Sequence, residues 1–132
     1  ALAWSPDGAT IATAGDDNTA AIWSASDGRL VVRLHRHTHW VAGIGFHPSG
    51  EFVVTASFDK TARIWSARDG QWISTFRGHS NTVYAAAFHP GGERIVSVSH
   101  DHSAKLWTPE LNRSTLIERA RQLGQMLEVT TP

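Results

Sequence analysis

Trp23, Trp65 and Trp107 stand 42 residues apart, and a period of that length, held without insertion, constrains this chain more than any other feature. The same step relates Pro6, Pro48 and Pro90, then Gly8, Gly50 and Gly92, and also Asp17, Asp59 and Asp101. Thr13, Thr55 and Ser97 keep it, as do Ala20, Ala62 and Ala104. Three copies of one supersecondary unit follow. A unit this small cannot bury its own apolar face, so each copy has to stack on a neighbour.

Within a copy, short runs rich in Val, Ile, Thr and aromatic residues alternate with turn chemistry, the pattern of small antiparallel strands. In the second copy the runs are Trp40 to Phe46, Glu51 to Ala56, Thr61 to Trp65 and Gln71 to Phe76. His47-Pro48-Ser49-Gly50 joins the first two, Pro presetting one turn residue and Gly supplying a positive φ. Phe58, Asp59 and Lys60 make the second turn, and Asp69-Gly70 the third. Four strands per period is the size of one β-propeller blade. A helical solenoid is excluded over residues 1–108, where no apolar spacing of three and four is sustained.

Beyond residue 108 the pattern changes. Thr115 and Glu118 have capping-box spacing, and Leu116, Ile117, Ala120, Leu123 and Leu127 form an apolar stripe, which predicts one amphipathic helix over roughly 115–127. The expected fold is therefore all-β, with propeller blades forming a partial ring and a short C-terminal α-helix. The blades divide at approximately 1–35, 36–77 and 78–108, followed by a helical tail over 109–132. Arg113, Arg119 and Arg121 beside the stripe allow a membrane-surface role, but packing across a neighbouring blade is the commoner use of such a helix.

Composition narrows the partners. Lys plus Arg equals Asp plus Glu at 12 each, so no net charge draws the chain to nucleic acid or anionic lipid. An RNA-binding propeller and a membrane partner are both disfavoured. With no cysteine, disulfides and thiolate metal sites are absent. No stretch approaches the ~20 apolar residues of a membrane helix. No export signal is visible, and a cytoplasmic location is the expectation.

These units resemble the WD40 family, whose repeat carries a Gly-His pair, an apolar strand, a Ser-Pro-Asp-Gly-like turn, an Asp and a strand ending in Trp-Asp. The third unit reads Gly78-His79, Phe88-His89-Pro90-Gly91-Gly92, Asp101 and Trp107. The second reads Arg36-His37, Phe46-His47-Pro48-Ser49-Gly50, Asp59 and Trp65, and the first Trp4-Ser5-Pro6-Asp7-Gly8, Asp17 and Trp23. The resemblance implies a hydrogen-bonded chain of His, Ser or Thr, Asp and Trp inside each blade. That is His37, Thr55, Asp59 and Trp65, then His79, Ser97, Asp101 and Trp107, and a partial set of Thr13, Asp17 and Trp23. The chemistry is consistent, because a buried carboxylate needs donors and an indole N–H needs an acceptor. Ser24, Ser66 and Thr108 replace the family's final Asp, and Arg36 replaces Gly.

A propeller needs about four to eight blades, so three leave two blade faces open. Further blades are expected from a longer parent polypeptide or from other copies. After Trp107 no fourth strand is evident, as at the end of such a ring, so the chain is expected to be the C-terminal portion of a larger protein, for example a bacterial signalling or effector protein. The alternative is a partial propeller that closes a ring from several copies of itself.

The resemblance implies a non-catalytic scaffold or sensor module that holds a protein or peptide, with no cofactor. Contacts are expected where loops vary between otherwise matching positions: Asp16, Phe58 and His100 before each Asp, and His39, Trp40, Asn81 and Tyr84 at the entry to the inner strands. Two chemical readings compete. His35, His37 and His39 alternate on an extended segment and present imidazoles to one side, as a metal site requires. His37 is nevertheless claimed by the repeat, so no metal is assigned. His100-Asp101-His102 with nearby serines lacks a nucleophile elbow or phosphate loop, so an enzyme is not expected.

Overall fold

The computed structural model describes residues 1–111. The helix expected over 115–127 lies outside the described residues. Eleven strands occur among them: β1 (Leu2–Trp4), β2 (Thr10–Ala14), β3 (Thr19–Ser24), β4 (Leu30–His35), β5 (Val41–Phe46), β6 (Phe52–Ser57), β7 (Ala62–Ser66), β8 (Trp72–Phe76), β9 (Val83–Phe88), β10 (Ile95–Ser99) and β11 (Ala104–Trp107). They pair into three antiparallel meanders, β1-β2-β3-β4, β5-β6-β7-β8 and β9-β10-β11. The expected all-β blade architecture is what the chain adopts, with strand limits within a residue of those read from the second period.

The turns recur as strictly as the strands. Gly8, Gly50 and Gly92 adopt φ of 73°, 79° and 80°, closing the first hairpin of each sheet in the left-handed region that glycine enters without strain. Asn18, Lys60 and His102 hold φ of 69°, 74° and 67° in the second hairpin. There the preceding Asp carboxylate caps the turn by accepting the N–H two residues on, as Asp59 does from Thr61 at 3.0 Å. The backbone conformation is thus a property of the period.

The core lies between sheets. Ala12, Ala20, Ile22 and Leu34 of the first sheet meet Val41, Val53 and Trp65 of the second. Phe52, Val54, Ile64 and Ile73 on the second sheet's other face meet Ile95 of the third, with Phe88 and Trp107 packed alongside. Adjacent strand residues point to opposite faces, so Val53 and Val54 serve two different junctions and both are fully buried. β6 is buried on both faces over its whole length. At the inner edge, a Cβ on Gly43 would stand 3.1 Å from both Ala85 Cα and the Tyr84 carbonyl, so glycine lets β5 and β9 approach.

Candidate functional site

One end of each sheet is built by the connection into its first strand and by its second hairpin turn. In the second sheet these are residues 36–40 and 57–61, and the His37 imidazole locks them together. His37 Nδ1 lies 2.7 Å from an Asp59 carboxylate oxygen and Nε2 lies 2.6 Å from Thr55 Oγ1. Trp65 Nε1 donates to Thr55 Oγ1 at 2.9 Å, and the Thr38 N–H donates to Asp59 at 3.1 Å. One polarity satisfies every group: indole N–H to hydroxyl, hydroxyl to Nε2, and Nδ1–H to carboxylate. The third sheet repeats it, with His79 2.8 Å from both Asp101 and Ser97, and Trp107 Nε1 donating to Ser97 Oγ at 2.8 Å.

In the first sheet Trp23 Nε1 donates to Thr13 Oγ1 at 2.8 Å, but Asp17 bonds to Thr19 and faces solvent. Its side chain is 65% exposed, against 4% for Asp59. The registers of His37 and Thr38 fall ahead of Ala1 in this sheet, so Asp17 is left a surface turn cap where Asp59 is a buried carboxylate.

Burial alone would raise the Asp59 pKa. The hydrogen bonds from His37 and Thr61, the nearby imidazole and the Thr38 N–H overcome that and hold its carboxyl far below the usual carboxylate range. The Ser103 hydroxyl does most to depress Asp101, aided by His79 and the Ser80 N–H. Burial lowers Arg63, partly offset by Asp59, 3.8 Å from its guanidinium. Arg36, standing where the family has Gly, lies 4.1 Å over the Trp72 ring, a cation–π contact that glycine could not make.

Outside this internal network the same end carries an aromatic surface. His39, Trp40 and Phe58 form a mutual cluster with ring centroids 5.2–5.4 Å apart. The Phe58 N–H donates to the Trp40 carbonyl at 2.9 Å, fixing one loop to the other. In the neighbouring sheet Tyr84 and His100 pack edge to face at 5.0 Å. Trp40 is 44% exposed and Tyr84 46%. Phe58 is half-buried, and His39, Asn81, His100 and Asp16 are exposed. Asp16 occupies the corresponding turn of the first sheet, next to Gly15, whose carbonyl accepts the Val41 N–H at 3.1 Å.

The imidazoles of His35, His37 and His39 are not gathered into a site. Both His37 nitrogens are engaged internally, and His39 Nδ1 accepts the Trp40 N–H at 2.7 Å. Among the described residues no three potential ligands converge.

At the opposite end of the sheets stands a residue read from sequence only as part of a turn. His47 Nδ1 accepts the Ser49 N–H at 3.0 Å, which leaves Nε2–H to donate to the Gly92 carbonyl of the third sheet at 3.0 Å. Its ring packs edge-on against Phe52 and Phe88, joining two blades. The recurrence of His at 47 and 89 was the available signal.

Comparison with known proteins agrees with this geometry. Residues 1–24, 28–66 and 70–108 each match the family model for the WD domain, G-beta repeat. The second and third matches begin before an outermost strand and run through the three inner strands of the next sheet, so each sequence repeat stitches two blades. A stretch of 45 residues is 40% identical to the WD repeat-containing protein 20 homolog of Caenorhabditis elegans, covering 34% of this chain and 6% of that protein. The solved structure of U3-55K superposes with a TM-score of 0.77 at 30% identity, over 81% of this chain and 35% of that one. The crystal structure of the RRP9 WD40 repeats gives the same score and identity, with 34% of its length covered. The chain thus spans about a third of these solved structures. With three matched repeats folded as three propeller blades, each built around the same indole position, the chain belongs to the WD40 repeat family.

Proposed function

We propose that this chain is a non-catalytic scaffold that holds a protein or peptide partner on the end of its blades carrying Trp40, Phe58 and Tyr84. WD40 repeat proteins typically serve as protein-interaction scaffolds. The observation carrying the reading is that register positions of the internal network are conserved in type from blade to blade, whereas the surrounding positions diverge into exposed aromatics. Rigid aromatic side chains supply contact area at small entropic cost. His39, Asn81, His100 and Asp16 rim them with polar groups. The blades act within a larger propeller assembly, whose remaining blades come from a longer polypeptide or from further copies.

Panning a displayed peptide library against the chain tests this. Selected peptides should lose at least tenfold in affinity to Trp40→Ala and to Tyr84→Ala, while both variants keep the wild-type melting temperature. Peptides that bind both variants as well as the parent would place the contact surface elsewhere. Phe58→Ala separates contact from support, since a variant that unfolds marks that ring as part of the fold.

A further inference from the structure

The connections into β5 and β9 are capped in the same way, by the side chain of one residue accepting the N–H of the next. His39 Nδ1 accepts the Trp40 N–H at 2.7 Å. One period on, Asn81 Oδ1 accepts the Thr82 N–H, also at 2.7 Å. Ser57 Oγ donates to the His39 and Trp40 carbonyls at 3.2 and 2.9 Å, and Ser99 Oγ to the Asn81 carbonyl at 3.1 Å, so the two loops share their backbone anchors as well. The caps differ in chemistry. An amide oxygen accepts at any pH, whereas an imidazole Nδ1 accepts only while it carries no proton. The His39 ring is also part of the aromatic cluster, 5.4 Å from Trp40 and 5.4 Å from Phe58, and it is exposed to solvent.

We infer that His39 is a pH-controlled clasp on the aromatic surface: the neutral imidazole holds the Trp40–Phe58 cluster together, and the protonated one releases it. In the tautomer whose Nδ1 accepts, Nε2 already carries its hydrogen, so an added proton goes to Nδ1. That N–H would face the Trp40 N–H, donor against donor, and the ring has to turn out of the cluster. The Ser57 anchors and the Phe58 N–H on the Trp40 carbonyl do not involve the imidazole, so the loop backbone holds while the rings lose their packing. The other ionisable groups on the surrounding elements are Arg36 and His37 in the same connection, Asp59 and Lys60 in the β6–β7 turn, Asp16 in the matching turn of the first sheet, and Tyr84 and His100 on the third. Arg36 is engaged with Trp72, and Asp59 is held ionised by its own donors. His37 has a counterpart in His79, which makes the same bonds, so a change arising in the buried imidazoles would reach Thr82 as much as Trp40. A loss of partner binding on acidification rests on the reading of Trp40 and Phe58 as contact residues, but the clasp itself does not.

Amide NMR spectra of the whole chain, recorded across the range of about pH 8 to 5 in which histidine ordinarily changes charge, test the clasp without a partner. The Trp40 N–H should lose the downfield shift of its hydrogen bond in step with the His39 ring protons, and the Thr82 N–H should hold its position by comparison. In His39→Asn, which installs the cap of the third sheet, the Trp40 N–H should hold its position too. A Trp40 N–H that stays put in the parent, or that moves equally in His39→Asn, would overturn the inference. Peptides that depend on Trp40 should bind the parent about fivefold more weakly at about pH 5.5 than at about pH 7.5, a loss absent from His39→Asn. Equal losses in the two proteins, or none in either, would overturn it as well. If no selected peptide depends on Trp40, the scaffold reading fails, and the amide titration still decides the clasp.

Discussion

Asp59→Ala is expected to lower the unfolding free energy by about 3–5 kcal/mol, the loss typical of removing one partner from a buried charged network. His37, Thr61 and the Thr38 N–H all direct donors at this carboxylate, and their geometry is set by the connection into β5 and the turn into β7 that carry them. With the acceptor gone, the buried His37 and Thr61 donors lose their partner. Asp17→Ala, at the same place in the period, removes an exposed turn cap and is expected to cost only about 0.5–1 kcal/mol. Urea titrations of the two variants measure the contrast. Equal midpoints would show that the network contributes little.

The same carboxylate gives stability an acid limb. The folded pKa of Asp59 is depressed, so its contribution is fully present above the ordinary unfolded value of about 3.9 and is lost as pH falls from there toward the folded value. Parent chain and Asp59→Ala should therefore converge in stability on acidification below about pH 4, and remain parallel above about pH 5.

Gly92→Ala is the second large effect. At φ of 80° any Cβ is strained, and here it would also collide with His47 Nε2. The backbone strain costs about 1–2 kcal/mol. Expelling the imidazole breaks the bond that ties the second blade to the third and disturbs Phe52 and Phe88 beneath it, for a total of about 2–4 kcal/mol. Gly8→Ala provides the control, since it carries the same φ class with open space around the added methyl and should lose only about 1 kcal/mol. Differential scanning calorimetry should separate the two by several degrees.

A period conveys local structure and stops short of contacts between distant elements. Strand number, the hairpin turns and the positions of the three indoles were legible, because alternation and turn chemistry act over a few residues and repeat with the sequence. The set at Asp17 was already partial in the sequence, because the register of His37 falls ahead of Ala1, and its exposure follows from that missing imidazole. His39, Trp40 and Phe58 were each identifiable as variable loop residues. Their union into one cluster needed the β4–β5 connection to lie against the β6–β7 turn.

His47 marks the same limit. Its place in a Pro-Gly turn was evident, but its bond to Gly92 spans 45 residues and two sheets. By itself the sequence determined the blade, its repeats and the residues able to bind inside each one, because those follow from short-range backbone geometry and side-chain chemistry. Only the tertiary structure decided which faces are buried, which aromatics reach solvent and how one blade is latched to the next, because those depend on distances between residues that the chain keeps far apart.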